Sequence, residues 1–288
     1  MAFSPERIAE GRAISEFCEF PIVVGADDRE SLERISNFWL SALGVEVIKI
    51  NSYIGAEITK LASNLWIDLN IALANNVALV CFENNIDVNE VISAANSLPK
   101  GSSKVNILNS SIGVGGSCLT KDPIFFANLL DEFGQDSSLI RSARKVNDAM
   151  PRIYLQKVLN WIERNNVPDP KISLIGLAFK SDTNDLRYSP MIEIYQRLRN
   201  QFSVMLNDPH VTEDSFGKAV NETIKFKSLS ECISNSDIII VGCPHKEFTQ
   251  SEILTFLKLN KKSNVLFVDG RHAYRSLSSE SNINYMAI

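Results

Sequence analysis

A glycine-rich stretch that ends in a cysteine is the part of this chain best suited to chemistry. It runs from Gly113 to Cys118 with the sequence GVGGSC, and Lys121 and Asp122 follow closely. Neighbouring glycines let the backbone approach a ligand, and charged groups beside a thiol are typical of a reactive cysteine. The alternative is a glycine turn followed by a cysteine that packs as a small apolar side chain. The surrounding elements decide between these two interpretations.

Two pairs of polar residues have the spacing of neighbours on one helix face. Lys60 and Asn64 are four residues apart, and so are Glu6 and Glu10. Residues at this spacing project from the same side of a helix. A lysine placed in this way can stabilise a developing oxyanion, and an asparagine beside it can hold a water molecule. The competing interpretation is that both pairs lie on solvated helix faces.

The composition is that of an ordinary globular protein, since 45% of the 288 residues are hydrophobic and 22% are charged. This length is enough for about two domains. The net charge of -5 argues against nucleic acid as a partner, while a local basic pocket for phosphate is compatible with it. The N-terminus lacks the apolar core of a signal peptide, and no run approaches the about 18 apolar residues of a membrane span. We therefore expect no membrane association.

The cysteines and histidines do not have the spacing of a metal site or a disulfide framework. No two cysteines form a C-x-x-C pair, and their number is odd. We interpret the histidines as incidental and expect no metal. This pattern favours a reducing cytoplasm. The cysteines are Cys18, Cys81, Cys118, Cys232 and Cys243.

The order of apolar patterns predicts an α/β protein with three parts. The first fifty residues contain a strand, an amphipathic helix and a second strand, which are too few for a sheet of their own. The middle of the chain is predicted to be all-helical, and its main element is one long helix over residues 56–83. Such a long apolar helix is often a subunit interface. Further helices are predicted at 87–97, 123–132, 137–150 and 151–165.

Beyond residue 170 short apolar strands alternate with helices, which predicts βαβ units and a parallel sheet. Ligands of such sheets bind beyond the carboxyl ends of the strands. The predicted strand ends lie at residues 176–180, 208–209, 242–245 and 269–271.

Four stretches resemble the nucleotide-sugar dehydrogenases, the family of UDP-glucose 6-dehydrogenase and UDP-N-acetylmannosamine dehydrogenase. Members oxidise the primary alcohol at carbon six of the sugar to a carboxylate with NAD, through a thioester on a cysteine. The order and spacing of the stretches cover nearly the whole chain. They are residues 4–11, 56–64, 113–122, and 176–180 with 185–190.

The resemblance implies a domain organisation and partners. Residues 1–52 are expected to be the C-terminal remnant of an NAD-binding Rossmann domain, since no G-x-G-x-x-G follows a strand there. Residues 53–164 are expected to form a central helical dimerisation domain with the cysteine loop. Residues 171–288 are expected to form a Rossmann-like UDP-binding domain. The implied partners are a UDP-sugar and a second copy of the chain, which would dimerise through the long helix.

The resemblance also implies roles for single residues. By its place in the motif, Cys118 matches the nucleophile. A thiol suits this role because a thiohemiacetal can lose a hydride and the resulting thioester is labile to water. Asp122 would orient a water molecule or accept a proton. Lys60 would stabilise the developing oxyanion, and Asn64 would hold the water. Glu6 would be the general base in thioester hydrolysis.

Substrate and cofactor contacts follow from the same resemblance, and surface charge is the alternative for the cations. Gly115, Phe179, Lys180 and Arg271, together with Glu6, match the substrate site. Lys121, Arg187 and Glu10 match the cofactor side.

The substrate and the activity of the chain are left open by the sequence. The residues around Glu6 and Asp122 resemble the UDP-N-acetylhexosamine branch more than the UDP-glucose branch. Because the glycine-rich nucleotide motif is missing, we expect a truncated enzyme that is silent alone. A non-catalytic, dimerising UDP-sugar-binding fragment is the alternative. A cysteine hydrolase is disfavoured, because no histidine lies in a motif near Cys118.

Overall fold

A three-stranded and a five-stranded sheet organise the computed structural model, which describes residues 1–8, 11–101, 103–262 and 264–288. The chain divides into two units. The first comprises Met1–Ile67 and Asp122–Ser137, and the second comprises Asp68–Lys121 and Ser138–Ile288. Strands and helices alternate in both, so the α/β class predicted from the sequence is confirmed.

The first unit contains a three-stranded sheet with the order β1-β2-β3. Strands β2 and β3 are parallel, and β1 pairs with β2 in the antiparallel direction. The helix between β2 and β3 begins where Asp28 accepts a hydrogen bond from the Ser31 N–H, at 2.7 Å. The strand, helix and strand predicted for this region are therefore present. The elements are β1 (Ala2–Phe3), α1 (Ala13–Glu19), β2 (Ile22–Ala26), α2 (Arg29–Leu43) and β3 (Val47–Ile50).

Long helices dominate the middle of the chain, but the prediction that it is all-helical is wrong, because Pro99–Lys100 and Ser103–Lys104 pair as two short antiparallel strands. Two predicted boundaries are wrong. The helix placed at 123–132 begins six residues earlier, at Ser117, and the break predicted at Pro151 is absent because one helix continues through it. Each proline removes only one backbone donor, and packing of a long helix outweighs that loss. The elements are α3 (Tyr53–Glu83), α4 (Val88–Asn96), β4 (Pro99–Lys100), β5 (Ser103–Lys104), α5 (Ser117–Glu132) and α6 (Ser138–Arg164).

The second unit contains a five-stranded parallel sheet with the order β10-β9-β8-β6-β7. The predicted alternation of strands and helices is confirmed. Helix α8 and strand β10 were not predicted, because each is short, with eight and four residues. The elements are β6 (Lys171–Ile175), α7 (Pro190–Leu198), β7 (Ser203–Asn207), α8 (Glu213–Val220), α9 (Leu229–Asn235), β8 (Ile238–Val241), α10 (Gln250–Leu259), β9 (Val265–Asp269) and β10 (Ile283–Met286), with a short 3-10 turn at Arg275–Ser279.

The core of the second unit lies around the central strands β6, β8 and β9. Leu174 pairs in register with Ile240, and Ile240 pairs with Val268, and all three are buried. Continuous burial on both faces is typical of a parallel sheet covered by helices. The parallel arrangement also brings the carboxyl ends of the strands to one edge, which is the place where such sheets bind ligands.

Helix α3 is long and apolar enough to cross a membrane by length and composition alone. Core helices of soluble proteins have the same properties. In the second unit, its residues Asp68 and Asn75 are fully buried and hydrogen bonded to helix α6. This part of α3 therefore packs as a core helix.

The turn after β6 depends on a glycine. Gly176 has a φ of +71°, and a β-carbon there would overlap the backbone carbonyl of Cys243. Gly101 has a φ of +60° with nothing within 4 Å of the added carbon. Both positions have a left-handed backbone that would strain a residue with a side chain, and only Gly176 is also crowded by neighbouring atoms.

We predict that Gly176→Ala destabilises the protein much more than Gly101→Ala. The control change should lower the free energy of unfolding by about 1 kcal/mol, which is the cost of a left-handed alanine. Gly176→Ala should cost about 3 kcal/mol or more, because overpacking is added. Urea unfolding of the two variants measures the difference. Equal losses would contradict the close approach at Gly176.

Candidate active site at the carboxyl edge of the sheet

The glycine loop lies across the carboxyl edge of the five-stranded sheet in the second unit. At its start the Ile112 N–H donates to the Gly270 carbonyl at 2.9 Å, and further on the Gly116 N–H donates to the Arg187 carbonyl at 2.8 Å. A β-carbon at Gly115 would lie 2.6 Å from Phe179 Cβ and 2.7 Å from the Tyr188 carbonyl oxygen. Only glycine allows this approach, which explains the residue type.

The structure places Phe179 between Gly115 and Arg271. The Arg271 guanidinium donates to the Phe179 carbonyl at 3.1 Å, and its Nε lies 3.4 Å from the Gly242 carbonyl. In the described part of the chain Arg271 forms no ion pair with a carboxylate. Burial lowers the pKa of this guanidinium from its ordinary value. A partly buried cation that is anchored on carbonyls keeps N–H donors for an anionic ligand.

Cys118 is the second residue of helix α5, and its thiol is exposed. The loop before the helix is held by the Thr120 hydroxyl, which donates to the Gly116 carbonyl at 2.7 Å. Of the five cysteines, Cys81, Cys232 and Cys243 are buried. Burial raises the pKa of the Cys232 thiol to about 11, as expected for an inert structural cysteine. Exposure therefore distinguishes Cys118 from these three.

The other predicted catalytic residues form contacts within the first unit. Lys60 Nζ donates to the Glu6 carboxylate at 2.9 Å and to the Glu6 carbonyl at 2.6 Å. The Asn64 side-chain amide donates to the buried Asp122 carboxylate at 2.6 Å. Both contacts pair residues that are distant in sequence. The Lys60–Glu6 pair is exposed, whereas the Asn64–Asp122 contact is partly buried.

The residues predicted for the cofactor side are Arg187, Lys121 and Glu10. The Arg187 guanidinium is hydrogen bonded to the Asp185 carboxylate, and its Nε donates to one oxygen at 2.8 Å and to the other at 3.0 Å. Lys121 is exposed on helix α5. Lys180, which belongs to the predicted substrate site, is partly buried in the segment after β6. Glu10 lies outside the described residues.

Sequence reasoning missed Asp208, which organises the carboxyl edge. One of its oxygens accepts from the Leu177 N–H at 2.6 Å and the Ala178 N–H at 3.2 Å, in the turn that leads to Phe179. His245 contacts the same oxygen at 3.0 Å. Burial opposes ionisation, but the bonds from His245 and the backbone hold the pKa of Asp208 below its ordinary value. Its position directly after β7 was the available signal.

His245 is also not incidental, because both of its nitrogens are used. Its Nδ1 accepts from the Asp182 N–H at 2.9 Å, so the ring proton lies on Nε2 and points to Asp208. Ligand atoms of Asp182, His210 and His245 lie within 4.8 Å of one another, which is metal-like spacing. A metal needs a free nitrogen lone pair, and the Nδ1 lone pair of His245 is occupied. This group therefore acts as a structural brace.

The strand-to-helix turn of the first unit does not fit the pyrophosphate of NAD. Dinucleotides are held where a glycine-rich turn opens a helix whose first N–H groups are free. Here β2 is followed by Asp27 and Asp28, and the Asp28 carboxylate already caps helix α2. Two carboxylates at that place would repel a pyrophosphate. Arg29, the first residue of α2, directly follows these two carboxylates. The described cation that is anchored on backbone carbonyls is Arg271, at the sheet of the second unit.

Comparison with known proteins identifies two domain types in the chain. The central domain of the UDP-glucose/GDP-mannose dehydrogenase family matches residues 55–149, and the UDP-binding domain of that family matches residues 173–276. The glycine loop and Cys118 fall in the first match, and Phe179 and Arg271 fall in the second. The two matches together cover most of the chain.

Relatives with these domains are longer than this chain. A UDP-N-acetyl-D-mannosamine dehydrogenase of Campylobacter jejuni is 33% identical over 252 residues, which are 87% of this chain and 60% of that protein. An NDP-N-acetyl-D-galactosaminuronic acid dehydrogenase of Ralstonia nicotianae is 32% identical over 250 residues, 86% of this chain and 56% of that protein. The solved structure of a UDP-D-ManNAc dehydrogenase from Pyrococcus horikoshii matches with a TM-score of 0.80 and 29% identity, over 100% of this chain and 64% of that one. The chain belongs to the UDP-glucose/GDP-mannose dehydrogenase family.

Proposed function

We propose that the chain binds a UDP-sugar at the carboxyl edge of its five-stranded sheet and supplies Cys118 as the nucleophile for NAD-dependent oxidation of the sugar at carbon six. One observation carries this proposal. The loop that leads to Cys118 lies directly against Phe179, beside the anchored guanidinium of Arg271. Nucleophile and anion-binding groups thus share one edge of the second unit.

The diphosphate is assigned to Arg271 and Lys180. Both follow strands of the parallel sheet, where phosphate groups bind in related folds. Arg271 is fixed by two carbonyls, so it loses little side-chain freedom when an anion arrives. Phe179 and Gly115 form the apolar and backbone surface beside it.

Cys118 would act on the aldehyde at carbon six. Its sulfur forms a bond to that carbon, the carbonyl electron pair moves to the oxygen, and the oxygen takes a proton. The following oxidation needs a hydride acceptor, which the resemblance implies is NAD. Water then breaks the carbon–sulfur bond of the thioester, which releases the carboxylate and returns the thiol.

Four further residues are proposed to serve the oxyanion and the water. Lys60 would stabilise the oxyanion, Asn64 and Asp122 would hold the water, and Glu6 would be the general base. Their contacts support these roles, because the Lys60 amine is held by Glu6 and the Asn64 amide is oriented by Asp122.

The wider organisation follows the same resemblance. The proposed domains are residues 1–52, 53–164 and 171–288, and the family matches at 55–149 and 173–276 support the last two. Lys121, Arg187 and Glu10 are proposed for the cofactor side. The five free cysteines support a reducing, cytoplasmic location.

A UDP-N-acetylhexosamine is proposed as substrate, because the similar proteins from Campylobacter jejuni and Pyrococcus horikoshii are named as dehydrogenases of UDP-N-acetylmannosamine.

A non-catalytic UDP-sugar-binding role is the second candidate. The lack of a G-x-G-x-x-G motif after a strand in residues 1–52 supports it. Titration with NAD and with UDP separates the two. Binding of UDP without NAD supports the second candidate, and turnover with NAD excludes it.

In an enzyme that includes the NAD-binding domain, Cys118→Ala should lower the rate of UDP-sugar oxidation by at least about 1000-fold, because the covalent intermediate cannot form. The affinity for UDP should stay within about twofold, since the thiol does not touch the diphosphate in this proposal. Cys18→Ala, at another exposed cysteine, is the matched control and should keep full turnover. Retained turnover in Cys118→Ala would exclude the nucleophile, and lost UDP binding would show that the loop is structural.

Arg271→Met should raise the Kd for UDP by about 10- to 100-fold, which corresponds to about 1.5–3 kcal/mol for a charged hydrogen bond. Isothermal titration calorimetry with UDP measures this change. Lys258→Met removes an exposed positive charge from helix α10 and should leave the Kd unchanged. Equal effects of the two substitutions would mean that Arg271 acts only through net charge.

The long helix is the proposed dimer interface. Leu73 and Val80 lie seven residues apart on α3 and are 49% and 66% exposed, which is unusual for a helix of this apolarity. A second copy of the chain would cover them.

Leu73→Glu with Val80→Glu should raise the dimer dissociation constant by at least about 100-fold, because two charges would be buried in an apolar contact. Sedimentation velocity over a dilution series reports this change. Leu259→Glu, at an exposed leucine on α10, serves as the control. If the dimer of the double variant dissociates at the same concentration as the wild-type dimer, the interface lies elsewhere.

A further inference from the structure

A buried polar network links helices α3 and α6 inside the second unit. The Arg144 guanidinium is paired with the Asp68 carboxylate. The Asn147 amide donates to the same carboxylate at 2.7 Å and to the Asp68 carbonyl at 2.9 Å. The Asn75 amide donates to Asn147 Oδ1 at 2.9 Å. None of these four residues is more than 4% exposed.

The network ends on the backbone at both ends of the cysteine loop. At one end the Ser111 N–H donates to Asn75 Oδ1 at 2.9 Å, and the Ser111 hydroxyl donates to the Gly113 carbonyl at 3.1 Å. At the other end Arg144 donates to the Leu119 carbonyl at 3.3 Å. Leu119 directly follows Cys118. The direction of every bond is consistent, since each amide oxygen accepts on one side and each amide nitrogen donates on the other.

The contact at Leu119 meets a need created by the sequence. In a helix the Leu119 carbonyl would accept from the N–H four residues later, but that residue is Pro123, which has no N–H. A buried carbonyl without a donor is costly. Arg144 supplies the missing donor, so the guanidinium takes a place in the first turn of helix α5.

Stability alone does not account for the network. Buried ion pairs and amides contribute less to stability than well-packed apolar side chains of the same volume. One Asp68 carboxylate oxygen has no hydrogen-bond partner among the described residues, and burial raises the pKa of that carboxyl. The network instead fixes the positions of backbone groups at residues 111 and 119.

We propose that Asp68, Asn75, Arg144 and Asn147 are positioning residues that clamp both ends of the glycine loop and thereby fix Cys118. The catalytic part of this inference rests on the proposed function, because it assumes that Cys118 is the nucleophile. The clamp itself does not, since it concerns only the order of the loop. None of the four residues touches the reacting atoms in this account.

Hydrogen exchange of peptides that cover residues 110–119 tests the clamp without substrate. Asn75→Ala leaves the Ser111 N–H unpaired, and amides of the loop should exchange about tenfold faster, while amides of β6, β8 and β9 keep their rates. Val158→Ala is the matched control, because Val158 is equally buried on α6 and outside the network. It should leave the loop rates unchanged relative to the sheet.

Arg144→Lys is a second variant that keeps the charge beside Asp68 and therefore guards against a failure to fold. A lysine cannot reach Asp68 and the Leu119 carbonyl with the same fork, so loop exchange should again rise. Wild-type loop exchange in both folded variants would overturn the clamp, and so would an equal rise in Val158→Ala.

Turnover of the whole enzyme tests the catalytic part. Asn75→Ala should lower kcat by about tenfold or more with the Kd for UDP within about twofold, because only the position of the thiol is affected. Faster loop exchange with an unchanged kcat would show that the clamp does not serve Cys118. A wild-type enzyme without turnover would be a failure of the proposed function, and the exchange experiment would still decide the clamp.

Discussion

Gly115 passes so close to Phe179 that no side chain fits between them, and the proposed site depends on this contact. Because the loop lies flat on the ends of the strands, the residue that could attack a sugar and the groups that could hold a diphosphate share one edge of one sheet. A larger residue at 115 would lift the loop from that edge. The parallel order of the strands matters for the same reason, since it gathers the ends of β6, β8 and β9 in one place.

Two sets of buried polar residues keep the two sides of this contact in place. On the sheet side the Asp208 carboxylate accepts bonds from Leu177, Ala178 and His245 and so fixes the turn that carries Phe179. On the loop side the buried polar network that contains Arg144 and Asn75 holds the backbone at residues 119 and 111. Groups that bind backbone N–H and carbonyl atoms define geometry more narrowly than apolar packing, which tolerates small shifts. Order at the site therefore comes from polar contacts that stability alone would not require.

The sequence predicts the outline of this arrangement and not its bracing. Periodicity identifies the long helix and the parallel sheet, and the motifs point to Gly115, Phe179 and Arg271, which are neighbours in the structure. Helix ends were missed at Pro123 and Pro151, because propensity does not include the tertiary donors and packing that compensate a proline. Asp208, His245 and Asn75 were missed because their partners are 30 or more residues away in the chain. Single-chain spacing cannot report such pairs.

The central claim is that the cysteine loop and the ends of β6 and β9 form one UDP-sugar site. Protection of Cys118 against alkylation tests it most directly, and exposed Cys18 provides an internal reference in the same chain. With saturating UDP-N-acetylhexosamine, iodoacetamide should modify Cys118 at least about tenfold more slowly, while the rate at Cys18 stays the same, because a bound sugar covers only the first thiol. Equal rates at Cys118 with and without the bound nucleotide sugar would contradict the account.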